Sequence, residues 1–229
     1  MAAIVDGTLG PGSRINIGSF GQQLGVSPGA VREALAMLET EGFVTSELAR
    51  GYRVRPVSRV DLQQLLEARI EIERLCIAAA IAHGDLKWEG RIVSAFHQMK
   101  RTADAHGKVH SAEMSAIHAG FHRALLDACP NVWLLRMQEM LYRQSERYRY
   151  FARASHRSRD VMGEHQALMT AVLNHDVQLA QNLIAQHLQT TAQLALDSPA
   201  LQVNLAQEPP AKGSSPAMTG ARPASADPA

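Results

Sequence analysis

The sequence predicts a mostly α chain: an N-terminal winged helix-turn-helix over residues 1–57, then an all-α antiparallel bundle of six or seven helices over residues 58–197. Three observations predict it. Residues 20–44 carry two short helical patterns around a glycine turn, and residues 43–55 alternate in the manner of a hairpin. From residue 58 onward, apolar positions recur at helical spacing with only short breaks. Residues 198–229 are rich in Pro, Ala, Ser and Gly with no apolar period, and read as a disordered tail.

At the front, Ile4 to Gly12 would suit the loop that follows a first helix, yet only three residues precede it. The first helix of the winged domain is therefore expected to be truncated. Leu24 and Val26 flank Gly25, which can take the positive φ needed between two crossing helices. Ser27 caps a second helix with Pro28 at its first position, where the missing N–H costs nothing. Val31, Ala34, Leu35 and Leu38 form its apolar stripe. Arg32 falls on the opposite face near the helix N-terminus, where recognition helices meet base edges. Gly42 closes the helix. Phe43–Ser46 and Gly51–Arg55 then pair as a wing: Gly51 allows close approach to a backbone, and Arg50, Arg53 and Arg55 are placed to reach phosphates.

Pro56 stops the wing and Ser58 caps the first bundle helix, which runs through Leu62, Leu65, Leu66 and Ile70 to Ala80. Further helical stretches cover residues 88–105, 111–128, 133–152, 158–174 and 177–196. Breaks at Gly84-Asp85, Gly107, Pro130-Asn131 and Asn174-His175-Asp176 make credible connections. A bundle of this length can bury a core and a pocket.

Charge narrows the function less than placement does. With 23 Lys plus Arg against 22 Asp plus Glu the chain is no polycation, so DNA binding rests on where Arg32 and the wing sit and should be salt-sensitive. Cys76 and Cys129 lie in apolar helical surroundings and read as buried thiols of a reducing cytoplasm. No signal peptide or membrane span is visible, so no membrane partner is expected.

Four of the ten histidines carry chemistry. His118 and His122 stand four apart on one helix face, and His165 and His187 lie on two later helices beside apolar residues. Imidazoles entering a bundle from three helices can build a divalent-metal site, and they suit zinc, nickel or iron better than magnesium or calcium. The plainer alternative is that each is a core or surface histidine. A metal-dependent enzyme is the rival function. Against it, no His-Glu-x-x-His, nucleophile elbow or Gly-rich phosphate loop occurs, and Glu164, beside His165, is expected to point elsewhere because helix neighbours diverge by about 100°. A third reading has the histidines hydrogen-bond a carboxylate with no metal at all.

Taken together, Gly-Thr-Leu-Gly-Pro-Gly at 7–12, Leu-Gly-Val-Ser-x3-Val-Arg-Glu-Ala-Leu at 24–35 and Glu-Gly-Phe-Val at 41–44 resemble the GntR class of bacterial regulators. Ala-Arg-Ile-Glu-Ile-Glu at 68–73, Phe-His-Arg-Ala-Leu-Leu-Asp-Ala-Cys at 121–129, Glu-His at 164–165 and Asp-x3-Ala-x6-His at 176–187 are similar to its branch with an all-helical fatty-acid-regulator (FCD) domain. Within that branch, residues 84–89 and 144–149 look like the carbon-starvation-induced regulator group. The resemblance implies a ligand-responsive repressor: a homodimer on a double-stranded DNA operator that answers to a small organic acid. It also implies a divalent metal, zinc first, held by His122, His165 and His187. The family's Asp ligand is His118 here, which leaves a four-His site or a three-His site with His118 behind it. On the DNA side the resemblance maps Arg32 onto a recognition-helix Arg and Gly51 onto the wing-tip Gly; Ser27, Gly29, Arg50 and Arg53 complete the candidate contacts, and Pro28-Gly29-Ala30 replaces the Arg that many relatives carry after the Ser. Arg69 and Arg147 are the candidates for the effector's free end, because guanidinium pairs bidentately with carboxylate, and a compact dicarboxylate is the expected effector. For Arg69 the alternative is a surface pair with Glu73, one turn along the helix.

Overall fold

A computed structural model describes residues 1–48, 51–106, 112–152 and 159–206. The N-terminal part comprises α1 (Ala2–Val5), β1 (Arg14–Ile15), α2 (Ile17–Leu24), α3 (Pro28–Thr40), β2 (Val44–Glu47) and β3 (Gly51–Val54). The strands form one antiparallel sheet in the order β1-β3-β2, with Arg14 opposite Arg53 and Val44 opposite Val54. Ile4, Ile15, Val31, Leu35, Phe43, Val44 and Val54 close its small core.

Local chemistry fixes the turn. Asn16 caps α2 through the Ser19 amide, and Gly25 ends it at φ 66°, a left-handed conformation that favours glycine. Ser27 Oγ accepts from the Ala30 amide and starts α3. Glu39 on α3 accepts from the Ser46 amide and hydroxyl, which pins the wing against the recognition helix. The apolar stripe of α3 is narrower than its spacing suggested: Val31 and Leu35 are buried, whereas Ala34 is exposed. The domain packs only one side of α3, and Ala34 falls beyond that contact.

The bundle comprises α4 (Arg59–His83), α5 (Leu86–His106), α6 (Ala112–Leu126), α7 (Val132–Ala152), α8 (Val161–Leu173) and α9 (Val177–Leu196). Helix α4 packs between α7 and α9, and α5 packs on α6 and α8. Cys76, Ile77, Trp88, Ile92, Phe121, Leu125, Val172 and Ile184 lie at the centre of the core. Trp88 is wholly buried and donates its indole N–H to the Ala124 carbonyl, which locks α5 to α6. The turn into α9 has His175 at φ 55°, with Asp176 N–H bonding back to Ala171. Helix α8 begins at Val161, later than the 158 expected, because Asp160 caps it by accepting from Gly163 N–H.

The tail beginning at 198 requires correction. Residues Pro199–Ala206 form a further helix, α10, and Leu201 is fully buried in a cluster with Val57, Leu62, Phe151 and Leu196. Proline at the first helical position and two leucines suffice to build one short helix, a signal hidden by the composition of the whole segment. Residues 207–229 lie outside the described set. Truncating Leu201 to Ala should cost about 2–5 kcal/mol, read as a lower urea midpoint at unchanged m-value.

Candidate metal centre and cavity

Helical geometry brings four imidazoles to one point. His118 and His122 project from one face of α6, His165 comes from α8 and His187 from α9. One ring nitrogen of each lies within 4.8 Å of all the others. The His122 Nε2 is 3.2 Å from the Nε2 of both His118 and His165, and those two are 3.1 Å apart. That is close to the edge of about 3.3 Å expected for a tetrahedron with metal–nitrogen bonds of about 2.0–2.1 Å. Phe121 packs edge-on against His122 and His165 and keeps the inner side of the cluster apolar.

The far nitrogens tell which way the lone pairs point. His165 Nδ1 donates to the Val161 carbonyl at 2.6 Å, so its Nε2 offers a lone pair to the centre. His187 Nδ1 donates to Glu164 Oε2 at 2.9 Å, and Arg159 holds the same carboxylate through a bidentate pair. Glu164 was expected to point away from the histidines. Instead it reaches the outer edge of His187, because α9 lies on the side to which α8 turns it. The Nδ1 atoms of His118 and His122 are buried without a partner among the described residues.

Each of the four imidazoles is held uncharged. Burial, followed by the Arg149 charge, lowers His118 well below its ordinary range, and burial followed by His165 does the same to His122. Burial and then the His187 charge bring His165 down to about 3, and burial lowers His187 despite the Glu164 hydrogen bond. Burial raises Glu164, but the bonds from His187 and Arg159 and the Arg159 charge outweigh it and hold that carboxylate at about 2. Four neutral imidazoles with convergent lone pairs can hold a borderline divalent cation, and they contribute no charge to neutralise it.

His118 and His187 open onto a cavity of about 210 Å³. Arg69, Tyr142, Glu146, Arg149 and Arg159 line it. Arg69 is no surface residue: it is 8% exposed and bonds Glu73, itself 1% exposed, and Ser145, with its guanidinium over the Tyr142 ring. Arg147, the second effector candidate, lies elsewhere. Its guanidinium donates to the carbonyls of Arg55 and Pro56, at the joint between the wing and α4. Residues 147 and 149 are about 200° apart on a helix, so only Arg149 faces the cavity.

The outer face of α7 grips the N-terminal domain. Arg143 pairs bidentately with Glu41 at 3.1 and 2.6 Å and lies over the Phe43 ring, and Gln144 bonds the Glu41 carbonyl. Tyr148 donates to Asp61 Oδ2 at 2.6 Å beside the Ser58 cap. On the candidate nucleic-acid face, Ser27, Gly29, Arg32 and Gly51 are exposed. Arg53 is only half free: it pairs with Glu47 of β2 and bonds the Gly12 carbonyl in the turn before β1. Arg50 lies outside the described residues. No helix among the described residues is long and apolar enough to cross a membrane.

Comparison with known proteins agrees in both halves. Residues 1–54 match the family described as "Bacterial regulatory proteins, gntR family", and residues 64–190 match the FCD domain. The chain is 34% identical to the HTH-type transcriptional regulator BphR of Paraburkholderia xenovorans (strain LB400), across 83% of this chain and 79% of that one. It is 30% identical to the HTH-type transcriptional repressor GlaR of Escherichia coli (strain K12), across 82% and 88%. Among solved structures, E. coli McbR/YncC superposes with a TM-score of 0.73 at 19% identity, covering 85% of this chain and 92% of the other, a likeness of fold.

Two outcomes test the centre. An unfolded histidine titrates near 6.5, and these four titrate lower when folded; below pH 6.5 the unfolded chain therefore binds more protons, and stability falls as pH drops. Metal-free protein should lose stability progressively as the pH falls below about 6.5, measured as the urea midpoint. A pH-independent midpoint would contradict the neutral cluster. Glu164→Gln should weaken zinc binding about 10–100-fold in competition with a chelating dye, while the apo protein keeps its helical circular dichroism.

Proposed function

The chain belongs to the gntR family of bacterial regulatory proteins, with an FCD domain, and we propose that it is a repressor governed by a small organic acid. It is a DNA-binding transcriptional regulator and not an enzyme. The observation that carries the regulatory reading is the convergence of four buried neutral imidazoles beside an arginine-lined cavity, one helix away from the DNA-binding domain.

In this reading His118, His122, His165 and His187 hold a divalent metal, zinc first and nickel or iron next, since an all-nitrogen donor set disfavours magnesium and calcium. When bound, the metal supplies a fixed positive point for the effector's carboxylate. Arg159 and Glu164 orient His187, and Arg69 forms the opposite wall. Arg147, expected to hold the effector's second carboxylate, serves the linker joint instead.

Helix α7 supplies the route to DNA. Glu146 and Arg149 face the cavity; Arg143, Arg147 and Tyr148 hold the winged domain and linker. An effector that favours one setting of α7 shifts the placement of the two winged domains of a homodimer, whereas equal affinity for both settings shifts nothing. Arg32 reads bases in the major groove of a double-stranded operator, and Ser27, Gly29, Arg50, Gly51 and Arg53 lie along the phosphate path.

Fluorescence anisotropy of duplexes tiling the DNA around the protein's own gene tests this. One duplex should bind tightly and with a steep salt dependence. Arg32→Ala should lose roughly 1–3 kcal/mol on that duplex and little on the others. An acid that binds the metal-loaded protein yet leaves operator affinity unchanged would remove the regulatory mechanism.

A further inference from the structure

Four imidazoles are enough to fill a tetrahedral metal. Three Nε2 atoms stand 3.1 to 3.2 Å apart, close to a tetrahedral edge, and the fourth ring joins them within 4.8 Å. A zinc-type ion with four protein ligands is closed, whereas a centre that accepts an outside ligand keeps a position open. A carboxylate that reaches this centre must therefore add as a fifth ligand or take the place of one histidine.

The four histidines are not held alike. His165 is fully buried, and its Nδ1 donates to the Val161 carbonyl. His187 is braced by Glu164, which Arg159 grips in turn. A ligand whose far nitrogen is bonded in this way is fixed in orientation and made a better donor. His122 lacks such a bond, but it is 2% exposed, packs against Phe121 and does not line the cavity. Only His118 combines an unpartnered far nitrogen, among the described residues, with a place on the cavity wall. It is also the least buried of the four. The same cavity offers the ring room to turn away from the centre. Tyr142 lines it too, buried and with a hydroxyl that has no partner among the described residues, and a phenol can pair with a neutral imidazole.

We propose that His118 is an exchangeable ligand: an effector's carboxylate takes its position on the metal, and the neutral ring moves into the cavity. One electron pair, from a carboxylate oxygen, replaces another, from the His118 ring nitrogen, and no proton changes hands. His122, His165 and His187 keep their places. This rests on the metal-held carboxylate proposed above. The space that receives the ring is walled by Tyr142, Glu146 and Arg149 of α7, so the exchange is felt by the helix that holds the winged domain.

Cobalt(II) in place of zinc tests it on the full chain, with acetate as the probe. Visible absorption reports the coordination number, and proton resonances shifted by the cobalt count the bound imidazoles. The resting protein should be four-coordinate with four imidazole sets. Saturating acetate should leave it four-coordinate with three, and the set lost should be the one absent from His118→Ala. That variant should keep its helical circular dichroism and bind acetate at least about tenfold tighter, having no ligand to displace. His118→Asn, nearer the ring in size, serves the same comparison. Acetate that adds while all four sets remain overturns the exchange and leaves the metal-held carboxylate standing. Three sets before acetate, or loss of another histidine's set, overturns the assignment to His118. Failure of acetate to reach the cobalt in the wild type and in both variants, or failure of the chain to hold cobalt, overturns the underlying reading as well.

Discussion

An imidazole that aims a lone pair into a protein interior is steadied when its other nitrogen finds a partner, and the pairing of His165 and His187 organises one end of this bundle. His165 satisfies it within its own helix, through the Val161 carbonyl one turn back. His187 cannot, and recruits Glu164 from α8; the carboxylate then draws in Arg159, which also bonds Thr191 and the His187 carbonyl. A short run of ionic contacts thus ties the start of α8 to the middle of α9 and forms one wall of the cavity. The polar wall and the convergent lone pairs are two sides of the same arrangement.

Helix α7 makes this local chemistry matter elsewhere. Successive residues on a helix turn by about 100°, so one segment from Tyr142 to Arg149 can present Tyr142, Glu146 and Arg149 to the cavity and Arg143 and Arg147 to the winged domain. No loop separates the two faces. A rotation of α7 that improves one set of contacts must alter the other, which is the physical content of a coupling between sites.

Much of this was legible in the chain and some was not, for identifiable reasons. The turn around Gly25, the Ser27 cap and the alternating wing are local signals, and the i,i+4 spacing of His118 and His122 put both rings on one face. Partners joined across helices left no such trace. Glu164 was read by its angle to His165 alone, and nothing local said that α9 would bring His187 alongside. Arg147 and Arg149 sit in the same short motif, and choosing between them required knowing which face of α7 the cavity occupies. Arg69 and Glu73 have the spacing of a surface ion pair, which spacing cannot distinguish from a buried one. Tyr142 carried no motif; only its depth and unpaired hydroxyl mark it.

The four imidazoles come from three helices far apart in sequence, and this has a thermodynamic corollary. An ion that binds only the folded arrangement stabilises it by mass action, about 2.7 kcal/mol at a free concentration one hundred times the dissociation constant. That increment is comparable to a substantial part of the marginal stability of an ordinary domain. Under the four-histidine reading, the lifetime of the folded bundle becomes a function of the free metal around it. A regulator built this way would couple its own abundance to metal supply, before any effector arrives.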